Sequence, residues 1–278
     1  ASTEEPTFEN VIVAYDESGE MLNRVGRVFS LLDSADTSDE MDAIALRIQP
    51  KLTALSNDIS LNPQLFERVK AVYPTHSVDG EEAGFGDSTH VWVCDPVDGT
   101  AMYARHIPVA VFSLALVIDG VPYVGVVYDP FTDSLYSAVK EKGAYKNNEK
   151  ISVNNYTLDD IRTVCHCDMW SKAGYNICNV FEKLREKTRL NDIGSITRAS
   201  CCVATGDYSL TIFTGTKHKH CDIAAVKVIV EEAGGRVTDL FGNDQRYDKD
   251  IKGAVISNGI VHEEVLKTIK DYIIEFNY

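Results

Sequence analysis

The sequence predicts an α+β protein, and two observations lead to that prediction. Up to Pro74, apolar side chains recur at helical spacing, whereas the residues that follow form a run of adjacent strand-like segments. Helices first and neighbouring strands afterwards favour an antiparallel sheet. The second observation is that strand-like and helical segments alternate after residue 157, which favours an α/β arrangement there. We therefore expect two subdomains, residues 1–148 and 149–278, that meet near the polar stretch 147–157.

Three helices are predicted in the N-terminal part of the chain. The first covers about residues 8–32, and the second begins near Met41 and is interrupted at Pro50, because proline does not continue a helix. The third starts at Asn62-Pro63, since asparagine is a good cap and proline suits the first turn. These helices are the α part of the α+β prediction.

The strands of the first half are predicted from short apolar runs bounded by turn residues. Asp119-Gly120 is a strong hairpin signal, since both residue types tolerate the backbone angles of a tight turn. It joins two of the predicted strands, and a further strand continues the meander. The predicted strands cover residues 90–94, 109–118, 121–128 and 134–139.

The second half is expected to alternate between strands and helices. Gly234-Gly235 predicts the C-terminal end of a long helix that starts near Asp222. The other predicted helices cover residues 175–187 and 198–205 and begin at His262, and the predicted strands cover residues 163–167, 208–213, a segment near Val237, and 254–257.

Composition and charge limit the function classes. A formal net charge of −15 argues against nucleic acid polymers and anionic membranes as partners, because both require basic patches. No apolar run approaches the ~18–20 residues that cross a bilayer, and the first thirty residues are too acidic for a signal peptide. Seven irregularly spaced cysteines fit free thiols in a cytoplasmic protein better than a disulfide framework.

One cysteine-containing run raises the alternative of a zinc site. Cys165-His166-Cys167 offers two thiols and an imidazole, but the run is typical of a short strand in which the two cysteines share a face. No second pair follows at the spacing of a zinc finger. We therefore expect ordinary buried strand residues here.

The most informative stretch is the turn that begins at Asp95. An apolar strand delivers Asp95 into a turn made rigid by Pro96 and Gly99, and Asp98 follows three residues after Asp95. Two converging carboxylates need a cation between them, and oxygen ligands favour Mg²⁺ or Mn²⁺. The N–H groups of Gly99 and Thr100 form an anion nest if a helical turn begins there. Taken alone, an exposed Asp-Pro turn is the commoner outcome.

Two further acidic segments change that balance. Glu81 and Glu82 precede the same strand by a short loop, and Asp222 lies at a predicted helix start. Separately, an exposed acidic loop and a helix cap are the ordinary explanations. Together with the turn, and in this order, they predict a metal site that presents positive charge to a phosphate.

With these motifs the sequence resembles the inositol monophosphatase family. The resemblance covers about residues 36–242, most of the chain. It implies an αβαβα layered sandwich of two subdomains with the site between them, a homodimer, and lithium sensitivity. The matching motifs are Gly80-Glu81-Glu82, Asp95-Pro96-Val97-Asp98-Gly99-Thr100 and Asp222-Ile223-Ala224-Ala225.

The resemblance also implies a metal ligand set. The first Mg²⁺ is expected on Glu81, Asp95 and the carbonyl oxygen of Val97. The second is expected on Asp95, Asp98 and Asp222. Mn²⁺ is expected to substitute for Mg²⁺.

The catalytic roles implied by the resemblance fall on the same turn. Glu81, Asp95 and Thr100 are the expected catalytic residues, and Glu81 and Thr100 are expected to orient the metal-activated water that attacks phosphorus. The N–H groups of Gly99 and Thr100 are expected to bind the phosphate. A softer match at Asp42 suggests a third Mg²⁺.

The sequence departs from the family pattern on the substrate side. The tryptophan expected before Asp222 is Cys221, and the asparagine expected after Thr100 is replaced by Ala101. No carboxylate lies near Gly215, where animal members hold the inositol hydroxyls. These departures leave the identity of the phosphate ester open.

Basic residues near the motifs suggest how a substrate is bound. A solvated basic patch is the ordinary alternative, but cations beside a catalytic aspartate are well placed for a second phosphate. The candidate substrate contacts are Gly194, Ser195, Arg198, Lys217 and Lys219.

The sequence therefore predicts a phosphoric monoester hydrolase acting on a small phosphate ester such as inositol monophosphate. The alternatives are a bisphosphate phosphatase, for fructose 1,6-bisphosphate or 3′-phosphoadenosine 5′-phosphate, and a histidinol phosphatase. A catalytically silent binding protein is less favoured because the acidic set is intact. A calcium-binding module is less favoured because no EF-hand spacing is present.

Overall fold

The computed structural model describes residues 69, 71, 73–80, 84–168, 170 and 173–275. The first two predicted N-terminal helices, the third up to residue 68, Asp42 and the Glu81-Glu82 pair lie outside these residues, and residues 69 and 71 are helical, as predicted for the third helix. Elements are numbered below in chain order within the described part of the chain.

The first sheet has eight strands in the order β2-β1-β3-β4-β5-β6-β7-β8. Among the described strands of this sheet, β1 and β3 are the one parallel pair, and the other neighbours are antiparallel, as predicted for this half. The strands are β1 Ser77–Gly80, β2 Gly84–Phe85, β3 His90–Asp98, β4 Val111–Ile118, β5 Val121–Asp129, β6 Ser134–Val139, β7 Gly143–Lys146 and β8 Glu149–Lys150.

Two of the tight turns in this sheet bear on the sequence predictions. The predicted hairpin turn between β4 and β5 is confirmed, with φ angles of 51° at Asp119 and 85° at Gly120. A second turn was not predicted: Asn147 and Asn148 have φ angles of 47° and 75° and join β7 to β8. The polar stretch after residue 146 therefore begins as a hairpin, and the chain leaves the sheet after Lys150.

The second sheet has five strands in the order β11-β9-β12-β14-β13. It is mixed, because β9 pairs in parallel with β11 and β12, whereas β14 pairs antiparallel with β12 and β13. The strands are β9 Val164–Asp168, β11 Arg189–Asn191, β12 Leu210–Phe213, β13 Arg236–Thr238 and β14 Ala254–Ser257, and a separate pair is formed by β10 Tyr175–Asn176 and β15 Ile274–Glu275.

The predicted helices of the second half are confirmed to within a few residues. The long helix α4 ends as Gly234-Gly235 predicts, since the N–H of Gly234 donates to the Glu231 carbonyl and that of Gly235 to the Val230 carbonyl. The helices are α1 Thr100–Tyr103, α2 Cys178–Arg185, α3 Ile196–Ala204, α4 His220–Glu232 and α5 His262–Tyr272.

The described elements stack in layers. Helices α3 and α4 lie between the two sheets, and their apolar side chains share one core cluster with residues of β3–β7 and of β12–β14. Helices α2 and α5 cover the other face of the second sheet, where Cys165 and Cys167 pack with Leu184 and Ile269. The two cysteines share this buried face, as expected for a strand, and no metal-binding group of the described residues includes them.

Close approach of α4 to the first sheet depends on Gly125 in β5. A Cβ atom there would lie 2.4 Å from the carbonyl oxygen of Ala225 in α4, which is far inside contact distance. The missing side chain therefore sets how near the helix lies to the strands. Because Asp222 stands in the first turn of α4, this packing also positions its carboxylate.

Among the described residues, no helix has both the length and the apolar character needed to cross a bilayer.

Candidate active site

The turn at the end of β3 is closed by hydrogen bonds within the motif. Oδ1 of Asp95 accepts the backbone N–H of Val97 at 2.9 Å, and the Thr100 hydroxyl donates to the Val97 carbonyl at 2.8 Å. Gly99 has a φ of 90°, and a Cβ there would lie 3.2 Å from the Gly194 carbonyl. The motif therefore requires glycine both for its backbone angle and for contact with the segment before α3.

Asp98 is held by the start of α3. Its Oδ2 accepts hydrogen bonds from the Ser195 hydroxyl, at 2.5 Å, and from the backbone N–H of Thr197, at 2.9 Å. Ser195 is also the cap of α3, because its Oγ accepts the backbone N–H of Arg198. Burial raises the pKa of Asp98 even though these bonds and the charge of Lys219 act in the opposite direction. A charged Asp98 therefore calls for positive charge nearby.

Asp222 brings a second carboxylate to the turn. One ligand atom each of Asp95, Cys221 and Asp222 lies within 4.8 Å of the others, and all three residues are buried. The Thr197 hydroxyl donates to the Asp222 carbonyl at 2.8 Å, and Lys219 Nζ lies 3.4 Å from Oδ2. The structure thus joins Asp95 and Asp222, which are far apart in the sequence, as the motif reading expects. Asp98 is adjacent but is not part of this group.

His220 connects α4 to the strand that leads into the Glu81-Glu82 segment. Its Nε2 lies 2.8 Å from Oδ2 of Asp79, the third residue of β1. His220 is 4% exposed, so this contact is shielded from water on the helix side. Sequence reasoning placed His220 only in the basic run before Asp222 and did not predict its contact with Asp79. Their contact joins the end of β1 to the first turn of α4.

Two carboxylates that sequence reasoning missed lie next to the metal turn. Asp168 ends β9, and its pKa is raised to about 7, first by burial and then by the charges of Asp192 and Asp98. Asp192 follows β11, and its Oδ1 accepts the N–H of Gly194 at 2.8 Å. Asp168 and Asp192 thus lie at the carboxyl ends of β9 and β11, which are parallel neighbours. Ligands commonly bind at this end of parallel strands. That rule was the signal that could have found them.

The predicted substrate contacts are placed differently from one another. Gly194 and Ser195 lie against the metal turn, and the Lys219 amino group lies beside Asp222. Lys217 is exposed. The Arg198 guanidinium is held by Asp129, with Nε 2.7 Å from Oδ2, in a partly buried ion pair. Glu81 lies outside the described residues.

Comparison with known proteins gives the family. The model of the inositol monophosphatase family matches residues 37–273. That range contains every described element up to α5 and the whole of the site.

The chain belongs to the inositol monophosphatase family.

Relatives within this family carry several phosphatase names. The chain is 29% identical over 215 residues to a fructose-1,6-bisphosphatase/inositol-1-monophosphatase of Thermotoga maritima, covering 76% of the chain and 80% of the relative. It is 30% identical over 258 residues to a histidinol-phosphatase of Mycobacterium tuberculosis, covering 84% and 93%. A solved structure of an inositol monophosphatase/NADP phosphatase with NADP and Ca²⁺ matches with a TM-score of 0.67 and 26% identity, covering 76% and 81%.

Family membership confirms the fold class and the type of enzyme. The protein is an α+β layered sandwich of the inositol monophosphatase type and a phosphoric monoester hydrolase that uses divalent metal ions. The residues present fit such an ion. Asp95, Asp98 and Asp222 are 2%, 8% and 3% exposed, and carboxylates buried this closely require positive charge.

Proposed function

We propose that this member of the inositol monophosphatase family is a Mg²⁺-dependent phosphomonoesterase whose substrate is a small monophosphate ester such as inositol monophosphate. The observation that carries the proposal is the meeting of the Asp95 and Asp222 carboxylates beside the turn that ends at Thr100. In this proposal two or three Mg²⁺ ions are held by Glu81, Asp95, the Val97 carbonyl, Asp98 and Asp222. Mn²⁺ substitutes for Mg²⁺.

The turn at the end of β3 supplies the groups that act on the phosphate. Thr100 and Glu81 orient the attacking water, and the Thr100 hydroxyl is already fixed by its 2.8 Å bond to the Val97 carbonyl. The N–H groups of Gly99 and Thr100 bind the phosphate oxygens at the start of α1. When bound, Mg²⁺ lowers the pKa of water and neutralises the leaving oxygen. No covalent enzyme intermediate is needed.

Asp168 and Asp192 support a substrate that carries hydroxyl or amino groups. Both carboxylates lie within electrostatic range of one another, and Asp168 is also within range of Asp98 in the turn. Carboxylates accept hydrogen bonds from hydroxyls and pair with ammonium groups, but they repel a second phosphate. An inositol monophosphate and a histidinol phosphate both satisfy this requirement.

A bisphosphate remains the second candidate, because Lys219 and Lys217 lie on the segment that leads into Asp222. Lys219 is already close enough to pair with the Asp222 carboxylate. Arg198 supports this candidate less well, since binding a phosphate there would have to break its ion pair with Asp129. The two candidates therefore make opposite predictions about which charges near the turn bind substrate.

A panel assay decides between them. Phosphate release is measured with Mg²⁺ and with EDTA for inositol 1-phosphate, histidinol phosphate, fructose 1,6-bisphosphate and 3′-phosphoadenosine 5′-phosphate. We expect Mg²⁺-dependent release that is fastest with one of the two monophosphates. Preference for a bisphosphate would favour the second candidate substrate. Absence of Mg²⁺ binding would exclude both candidates.

Three other properties expected from the sequence remain predictions. They are a homodimer, a cytoplasmic location without nucleic acid polymer or membrane as partner, and inhibition by lithium. Sedimentation of the purified chain tests the first, localisation of a tagged chain the second, and the panel assay with added Li⁺ the third.

A further inference from the structure

One sulfur atom stands among the oxygen atoms of the site. Cys221 is the second residue of α4, and its Sγ forms the three-atom group with ligand atoms of Asp95 and Asp222, all within 4.8 Å of one another. Sγ lies 3.2 Å from Oδ1 of Asp222 and 3.2 Å from the His218 carbonyl, so its proton is shared between these acceptors. The residue is 1% exposed.

The position of this thiol is fixed by packing. The Ser113 hydroxyl of β4 donates to the carbonyl oxygen of Cys221 at 3.4 Å, which ties the first turn of α4 to the first sheet. Cys221 itself belongs to the core cluster shared by both sheets. The sulfur therefore faces the carboxylates as a consequence of how α4 is seated.

Cys221 differs from the other cysteines of the chain. Within the described residues it alone belongs to a group of three potential metal ligands. Cys94, Cys165, Cys167 and Cys201 are buried apart from any such group, Cys178 is exposed, and Cys202 contacts the Arg198 guanidinium.

The donor set of this group suits a different metal from Mg²⁺. Mg²⁺ takes oxygen ligands, whereas a thiolate favours Zn²⁺ and softer ions. Bond lengths of about 2.3 Å to sulfur and about 2.1 Å to oxygen place two ligands of a tetrahedral ion about 3.6 Å apart. The 3.2 Å separation of Cys221 Sγ and Asp222 Oδ1 is close to that value.

We propose that Cys221, Asp95 and Asp222 form a binding site for a thiophilic divalent cation, Zn²⁺ or Cd²⁺, that excludes Mg²⁺ from the same carboxylates. Binding forms a metal–sulfur bond, and the thiol proton is released to solvent without any change of oxidation state. The exclusion of Mg²⁺ rests on the proposed function, because it assumes that Mg²⁺ uses Asp95 and Asp222. The metal–sulfur bond does not.

Ultraviolet spectroscopy of the metal-stripped chain tests the bond directly. Cd²⁺ is titrated into the wild-type protein and into the Cys221→Ser and Cys178→Ser variants, and the cadmium–thiolate charge-transfer band is recorded. We expect a saturable band in the wild type and in Cys178→Ser, and its loss in Cys221→Ser together with a fall in Cd²⁺ affinity of about tenfold or more. An unchanged band in a folded Cys221→Ser variant overturns the proposal.

A second measurement needs no substitution at position 221. Mg²⁺ binding by the wild-type protein is measured by calorimetry before and after saturation with Cd²⁺, and bound Cd²⁺ is expected to abolish the Mg²⁺ binding seen before it is added. Mg²⁺ binding that is undiminished in the Cd²⁺-saturated protein places the Cd²⁺ ion elsewhere and overturns the proposal, even if Cys221→Ser does not fold. Phosphate release by the wild type with Mg²⁺ is measured separately, so failure of the phosphatase proposal is distinguished from failure of this one.

Discussion

Two cation–carboxylate pairs flank the site, and they differ in what surrounds them. Arg198 of α3 and Asp129 of β5 approach to 2.7 Å, and the Asp129 side chain is 2% exposed. Lys219 and Asp222 approach only to 3.4 Å at the group of potential metal ligands.

The first pair is part of a network. Oδ1 of Asp129 accepts the N–H groups of Phe131 and Thr132, and Arg198 also contacts the sulfur of Cys202 and lies 6.0 Å from the Tyr136 ring. These contacts make the Arg198–Asp129 pair a permanent link between α3 and the first sheet.

The second pair is replaceable. Lys219 carries its ammonium group on a flexible side chain, beside carboxylates whose oxygen atoms are preferred ligands of Mg²⁺. We infer that its charge stands in for a metal ion at Asp222, whereas no such exchange occurs at Asp129. If Asp222 binds the metal ion as proposed, the same kind of ion pair has a structural role in one place and yields to a metal ion in the other.

The largest expected effect is a loss of activity when Asp222, the carboxylate in the group of potential metal ligands, is replaced. Asp222→Asn should lower Mg²⁺-dependent phosphate release by several orders of magnitude, because it removes a charge that the metal requires. The fold should survive, since the amide oxygen still accepts the Cys221 thiol. The measurement is the rate of phosphate release beside a thermal melt. Asp207→Asn, at an exposed residue, is the control. Near-normal turnover by Asp222→Asn would contradict the metal role of Asp222.

The next effect is a loss of stability when Arg198, the cation paired with Asp129, is replaced. Arg198→Met should lower the free energy of unfolding by about 3 kcal/mol, because it leaves the Asp129 charge buried without its partner. The solvent-exposed Arg162–Asp160 pair provides the matched control, and Arg162→Met should leave stability nearly unchanged.

Urea titrations of both variants measure the difference. If Arg198→Met proves as stable as Arg162→Met while its KM for a bisphosphate rises, then Arg198 binds substrate. The structural role assigned to its pair with Asp129 would then be wrong.

A smaller effect tests whether Lys219 competes with the metal. Lys219→Met should bind Mg²⁺ about fivefold more tightly, equivalent to about 1 kcal/mol, because a positive charge is removed from Asp222. Calorimetric titration with Mg²⁺ gives the affinity. Lys183→Met, at an exposed pair with Glu186, serves as the control. Weaker Mg²⁺ binding by Lys219→Met would show that Lys219 supports the metal site instead of competing with it.

The last prediction concerns pH. Since the pKa of Asp168 is raised to about 7 by burial and by Asp192 and Asp98, folding favours its protonated form. Its stabilising contribution is present below the ordinary carboxyl pKa and is lost as the pH rises through about 7. Asp168→Asn in EDTA should therefore gain stability relative to the wild type between about pH 4 and pH 8. Parallel stability curves for the two proteins would contradict this account.

Local patterns predicted most of the described fold. The run into Asp95, the Asp119-Gly120 turn and the Gly234-Gly235 helix end each contain the physical cause of the element they form. The short strands β1, β2, β10, β11 and β15 and the Asn147-Asn148 hairpin were missed, because strands of two to four residues and asparagine pairs leave weak signals in a sequence.

The candidate site was predicted less evenly. Asp95, Asp98 and Asp222 were found because each stands in a motif. Asp168, Asp192 and the Cys221 sulfur were not assigned, because their closeness to the turn depends on strand order and on how α4 packs between the sheets. Arg198 was recognised as a notable cation, but its partner Asp129 lies on a strand 69 residues away.

The bare backbone at Gly125 has a wider consequence. Because α4 packs directly on β5 there, the distance between the Asp95 and Asp222 carboxylates is set by packing inside the protein. Exposed residues such as Lys217 and His218 can then change without altering that distance. A scaffold built in this way can exchange one phosphate ester for another over evolutionary time while its hydrolytic centre keeps the same spacing.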